Sequence, residues 1–117
     1  MQWSALTLVE VGEAAAAGAV AVLPVGATEQ HGPHLATGTD SVIAERAARA
    51  AAERTGDVVL PTVAYGCSLG HTAHWPGTLS LSPATLTSLV EDVGRWVYSS
   101  GFRKLVIVNA HATNGPP

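Results

Sequence analysis

The chain has 117 residues, 47% of them apolar and 13% charged, which excludes a disordered tail and supplies the core of one domain. Its net charge is −3 and its six basic residues (Arg46, Arg49, Arg54, Arg95, Arg103, Lys104) are dispersed, so no basic stripe is available for a phosphate backbone and nucleic acid is not an expected partner. The single cysteine, Cys67, can form neither an internal disulfide nor a thiolate metal cage.

Thr7 to Glu10 reads as a capping box, and the alanine run after it ends at Gly18, which predicts a first helix over residues 8–17. Ala19 to Val25 is continuously apolar and too short for another helix, as expected of a strand buried on both faces. No basic residue precedes Arg46, and Gly18 and Pro24 interrupt the apolar stretch from Ala14 to Val25. That stretch is therefore read neither as a signal peptide nor as a membrane span, and the expected location is the cytoplasm. Gly26 to Thr39 is a polar, glycine-rich loop, followed by an alanine-rich helix from Asp40 to Arg54 that stops before Gly56. Val58 to Tyr65 is predicted as a second strand, with Pro61 marking an edge or a bulge. A long loop over 66–81 hands over to a third helix capped by Ser82, begun by Pro83 and ended at Gly101. Its apolar stripe is Leu86, Leu89, Val90, Val93 and Val97. Leu105 to Val108 is the third strand. Strands alternating with helices predict an α/β fold, a parallel sheet with flanking helices, forming a single domain over 1–117.

All five histidines (His31, His34, His71, His74, His111) follow a predicted strand, and in a parallel sheet such segments meet at the carboxyl edge, where these folds bind ligands. Glu29 and His31 are two apart, so an extended backbone points both side chains the same way. With Asp40 at the mouth of the second helix they make a carboxylate–imidazole set suited to Zn²⁺, Mn²⁺ or Fe²⁺; a helix N-cap is the common structural role for such an Asp40, and the two roles are not exclusive. His111, leaving the third strand, completes a set of four if the first and third strands are neighbours. His71 and His74 could ligate metal or touch substrate. Gly66-Cys67-Ser68-Leu69-Gly70 spells the G-x-S-x-G nucleophile elbow, but Pro76 and Gly77 argue against the helix that this motif needs immediately after the serine.

Three blocks of the chain resemble the creatininase family of metal-dependent amidohydrolases. They are Leu23 to Leu35 with Gly38-Thr39-Asp40; Gly66-x-Ser68-x-x-His71 with Trp75 to Leu81; and Val106-Ile107-Val108-Asn109-x-His111-x-x-Asn114. The resemblance implies a creatininase-like α/β fold and hydrolysis of a cyclic or linear amide C–N bond in a small-molecule or peptide substrate. It implies a binuclear Zn²⁺ and/or Mn²⁺ site held by Glu29, His31, Asp40 and His111, with Asp40 the bridge. His34, Ser68, His71 and His74 become substrate-proximal candidates, and a homo-oligomer is expected. Family members run to about twice this length, so the chain looks like the N-terminal half of the family domain, with the general acid and base expected in the other half. Creatininase proper has a glutamate two residues after the last histidine where Thr113 stands here, which argues against creatinine as substrate. Two other readings are a non-catalytic metal-binding or assembly module that needs a partner, and a serine hydrolase using Ser68.

Overall fold

The computed structural model describes residues 1–115. Helix α1 (Leu8–Ala16) starts at the predicted capping box: the Thr7 hydroxyl accepts from the Glu10 backbone N–H, while the Glu10 carboxylate accepts from the Thr7 N–H at 2.7 Å. Strand β1 (Ala21–Val25) is buried along its whole length. Helix α2 (Thr39–Thr55) ends on Gly56, whose positive φ of 79° suits a residue without Cβ. Strand β2 (Val58–Val59) is short; helix α3 (Pro83–Ser99) and strand β3 (Leu105–Asn109) complete the regular elements, with 3₁₀ turns at Trp3–Ala5, Leu69–His71 and Ala112–Asn114.

The sheet is parallel, in the order β2-β1-β3. Successive β1 side chains face opposite layers. Ala21, Leu23 and Val25 pack with Ala14 of α1, Val97 of α3 and Phe102, whereas Val22 packs with Ala48 and Ala52 of α2 and Val59 of β2. One sheet is thus covered by α2 on one face and by α1 and α3 on the other, as continuous apolarity in a parallel strand requires. The buried stripe of α2, Ala44, Ala48 and Ala52, is made of small residues at every fourth position, which brings the helix close to the sheet.

The second strand departs from expectation. Regular pairing covers only Val58 and Val59, because Pro61 has no N–H to continue a ladder. The segment still runs alongside β1: the Leu60 N–H reaches Val22 O at 2.8 Å, and the Val63 N–H reaches Pro24 O at 2.9 Å. Strand β1 begins at Ala21 rather than Ala19, since Gly18 and Ala19 are used in turning out of α1.

Asp57 ties β2 to β1. Its carboxylate accepts from the Val20 N–H at 2.8 Å and from the Thr55 hydroxyl. These bonds, the Thr55 hydroxyl first, hold the carboxyl below the usual aspartate range. A depressed folded-state pKa contributes stability above the unfolded value and loses it as pH falls through the folded one. Asp57→Asn is therefore expected to lower stability at neutral pH by about 1 kcal/mol, a few degrees in Tm, with the gap to the parent narrowing as pH falls below the ordinary aspartate range. Thermal melts at pH 7 and pH 3 test this; an equal gap at both would refute it.

Candidate metal centre

The chain steps from β1 outward to β2 and then back across to β3, so the connections leave β1 on opposite sides. The crevice at the carboxyl ends of β1 and β3 is the topological switch point of the sheet. Among the described residues the buried polar or charged side chains are Glu29, Asp40, Ser68 and His111, and all four lie here. Two neighbouring carboxylates 7% exposed are costly unless positive charge or hydrogen-bond donors face them, which makes this crevice the place to look for chemistry.

Glu29 and His31 both stand on the loop after β1. The loop is held by the Glu29 N–H on Thr37 O at 2.9 Å, the Thr28 hydroxyl on Ala64 O at 2.9 Å and the Gln30 N–H on Thr78 Oγ1 at 3.0 Å. Asp40 is in the first turn of α2, but the N-cap is Gly38, so its carboxylate is free to face the crevice. Glu29, His31 and Asp40 each turn one ligand-type atom to within 4.8 Å of the others. His111 joins from the end of β3, with Nδ1 2.8 Å from Asp40 Oδ2 and 3.4 Å from Glu29 Oε2.

The two imidazoles are pinned from behind. His31 Nδ1 lies 2.8 Å from the carbonyl oxygen of Glu29, and its Nε2 lies 3.1 Å from Asp40 Oδ1. His111 Nε2 meets the Cys67 carbonyl at 3.2 Å, Ser68 Oγ at 2.8 Å and Thr113 Oγ1 at 2.7 Å, leaving Nδ1 toward the carboxylates. A carbonyl only accepts, so each ring can place its proton on the rear nitrogen and offer the other as a lone pair. Histidines that hold metals are commonly fixed in this way, and the donor set of two carboxylates and two imidazoles fits a borderline divalent ion. The Glu29 carbonyl, followed by the charges of Asp40 and Glu29, raises the His31 pKa above its ordinary value against an opposing desolvation effect, so protons compete with a cation there.

The remaining candidates separate. His71 belongs to the cluster, with Nε2 3.2 Å from Glu29 Oε1 and its side chain 45% exposed at the mouth of the crevice. His34 and His74 are exposed outside it. Ser68 is 1% exposed and is followed by a three-residue 3₁₀ turn rather than an α-helix, so the letters of the elbow do not bring its geometry. Ser68, His111 and Asp40 are nevertheless connected in the order of a hydrolase triad.

Asn109 and Asn114, which spacing alone does not mark, lock the crevice. Asn109 brackets the His111 backbone, accepting from its N–H at 3.1 Å and donating to its carbonyl at 2.9 Å. Asn114 accepts from the Cys67 N–H at 2.8 Å and donates to Gly26 O at 2.9 Å, tying the three strand-end segments together. Two asparagines bracketing a histidine just past an apolar run are the signal that marks this device.

The family model described as creatininase, creatinine amidohydrolase, matches residues 4–117. Creatinine amidohydrolase of Pseudomonas putida is 41% identical over 104 residues, 86% of this chain and 40% of that protein. A mycofactocin precursor peptide peptidase of Mycolicibacterium smegmatis is 42% identical over 99 residues, 80% of this chain and 39% of the peptidase. A 3-dehydro-scyllo-inosose hydrolase of Thermotoga maritima is 33% identical over 90 residues, 77% of this chain and 29% of that protein. A crystal structure of creatinine amidohydrolase superposes with a TM-score of 0.92 at 40% identity, covering 97% of this chain and 46% of that one. Similar creatininase structures include a Zn-Zn variant and a Mn form, with TM-scores of 0.91 and 0.92 at 39% identity, each covering 97% of this chain and 46% of its own. The chain therefore spans less than half the length of these matches. Among the described residues no helix is long and apolar enough to cross a membrane.

Proposed function

This chain belongs to the creatininase family, and we propose that Glu29, His31, Asp40 and His111 hold divalent zinc or manganese in a metal-dependent hydrolase of amide-type C–N bonds. The observation that carries this reading is the convergence of two rear-pinned imidazoles on opposite oxygens of Asp40. Bound divalent ions supply a Lewis acid for the scissile carbonyl and a water acidic enough to attack at neutral pH. The chain's own part is to fix four donor atoms, to keep Glu29, Asp40 and His111 away from bulk water and to leave the His71 side open to a substrate. Residues 1–117 would form one domain-sized part of the family domain, in a cytoplasmic homo-oligomer.

The relatives' names cover a cyclic amide, a peptide and 3-dehydro-scyllo-inosose, a name that contains no amide, so hydrolysis is the shared chemistry and amide cleavage the finer proposal. Creatinine itself is disfavoured. The Thr113 hydroxyl is engaged behind His111, and it brings no carboxylate to the site.

Two observations favour other readings. Strand β3 is a sheet edge with Val106 and Ile107 about half exposed, beside a groove of about 710 Å³ lined by Val25, Leu86, Val90 and Ile107. An apolar edge of this kind is normally covered, which supports a module that works only with a further polypeptide against β3. The Ser68–His111–Asp40 connectivity supports a serine hydrolase.

The deciding experiment is metal analysis after loading, with activity and labelling read on the same protein. His31→Ala is expected to lose most of its bound zinc and His34→Ala to keep it; equal retention would sink the ligand assignment. Activity abolished by a chelator, with no fluorophosphonate label on Ser68, is the outcome expected for the metal enzyme. Labelling of Ser68 with activity that survives chelation would replace it, and full metal with no activity would favour the partner-dependent module.

A further inference from the structure

Of the three histidines at the carboxylates, His71 is turned the other way. The Gly32 N–H donates to Gln30 Oε1 at 3.0 Å, which fixes the Gln30 side-chain amide so that Nε2 is its donor end. That nitrogen lies 3.3 Å from His71 Nδ1. Facing a donor that carries no lone pair, Nδ1 must accept, so the neutral imidazole carries its proton on Nε2. Nε2 is the atom 3.2 Å from Glu29 Oε1. His31 and His111 can offer lone pairs to the crevice; His71 presents an N–H.

We propose that His71 is a positioning residue: set by Gln30, it engages Oε1 of Glu29 with an N–H, leaves Oε2 as the single oxygen for metal, and is not itself a ligand. The inference rests on the metal-site reading above and adds to it the orientation of Glu29. Oε2 is the oxygen turned toward His111 Nδ1, at 3.4 Å, so the carboxylate is already divided between an outer partner and the crevice. A carboxylate left without its outer partner can swing or close on a metal with both oxygens, and partners of this kind are usually worth about 10- to 100-fold in metal affinity. The side chain of His71 is 45% exposed, so it does this from the solvent side, where Glu29 would otherwise meet water. Gln30 is anchored to the long second loop through its backbone N–H on Thr78 Oγ1, which couples this loop to the site.

The test uses zinc affinity, by chelator competition, on the parent chain and on His71→Ala, His71→Gln, Gln30→Ala, Glu29→Ala and His31→Ala. His71→Ala is expected to bind zinc about 10- to 100-fold more weakly. His71→Gln, whose amide restores an N–H of similar reach, is expected to recover most of the loss. Gln30→Ala removes the donor that sets the tautomer without adding charge, and should weaken binding in the same direction as His71→Ala but by less. Long-range proton–nitrogen correlation spectra of the zinc-loaded protein should show the His71 proton on Nε2 and metal-shifted nitrogens only on His31 and His111. A metal-shifted nitrogen on His71, or His71→Ala within about twofold of the parent while Glu29→Ala and His31→Ala lose zinc, overturns the inference and leaves the metal site standing. Retention of zinc by Glu29→Ala and His31→Ala as well would overturn the metal site and the inference together.

Discussion

Asp40→Ala is expected to release more metal than any other single substitution in the crevice. Asp40 is the carboxylate in contact with both imidazoles, Oδ1 at 3.1 Å from His31 and Oδ2 at 2.8 Å from His111, so each of its oxygens faces a different member of the donor set. Structural zinc sites gain on the order of 10–16 kcal/mol from about four ligands, so one ordinary ligand is worth roughly 3 kcal/mol, or about a hundredfold. A bridge would serve two ions, so the expected loss at Asp40 is about a hundredfold in the affinity of each, enough to remove the second equivalent as well as weaken the first. Asp40→Asn keeps the shape and one oxygen and should fall between the two. Elemental analysis and calorimetric titration read both quantities; an alanine variant that still takes up the parent's full complement would remove the metal assignment.

Gly26→Ala should be the most damaging change to the fold among the glycines at the site. Gly26 leaves β1 where α2 begins, and a Cβ there would overlap the backbone N and Cα of Ser41, next to Asp40. Backbone atoms cannot rotate away as a side-chain tip can. The Gly26 N–H is also held by Val63 O at 2.9 Å and its carbonyl by Asn114 at 2.9 Å, so the loop cannot retreat. The first turn of α2 would have to move, at about 3 kcal/mol or more and a drop of about 15 °C in Tm. Gly12 inside α1 is the control. A Cβ there meets nothing within 4 Å, and alanine should stabilise the helix by about 0.5–1 kcal/mol. Equal melting temperatures for Gly26→Ala and the parent would show that α2 is not held as closely as the structure has it.

The helices and two of the strands could be read from the sequence because their signals are local. Thr7 with Glu10, Ser82 with Pro83, and the closing glycines Gly18, Gly56 and Gly101 act within a few residues of where they stand, and each marks a boundary found in the structure. The second strand could not be read to its end. An apolar run of eight residues looks like a strand whether or not each N–H finds a partner, and Pro61 decided that only two residues pair regularly.

The site divides along the same line. The two-residue spacing of Glu29 and His31 is a local pattern, and in the fold both side chains do turn a ligand-type atom toward each other and toward Asp40. That Asp40 faces the crevice rather than capping α2, that Ser68 is buried behind His111 instead of standing on an elbow, and that His71 meets Glu29 while His74 does not all depend on where separate segments come to rest. The residue types, the α/β alternation and the family are all legible along the chain, because each is carried by neighbouring letters. The tertiary structure decided which atom of each side chain faces which. A histidine's two nitrogens are equivalent as letters in a chain, and only the partner behind the ring, the Glu29 or Cys67 carbonyl or the Gln30 amide, chooses between lone pair and N–H at the site.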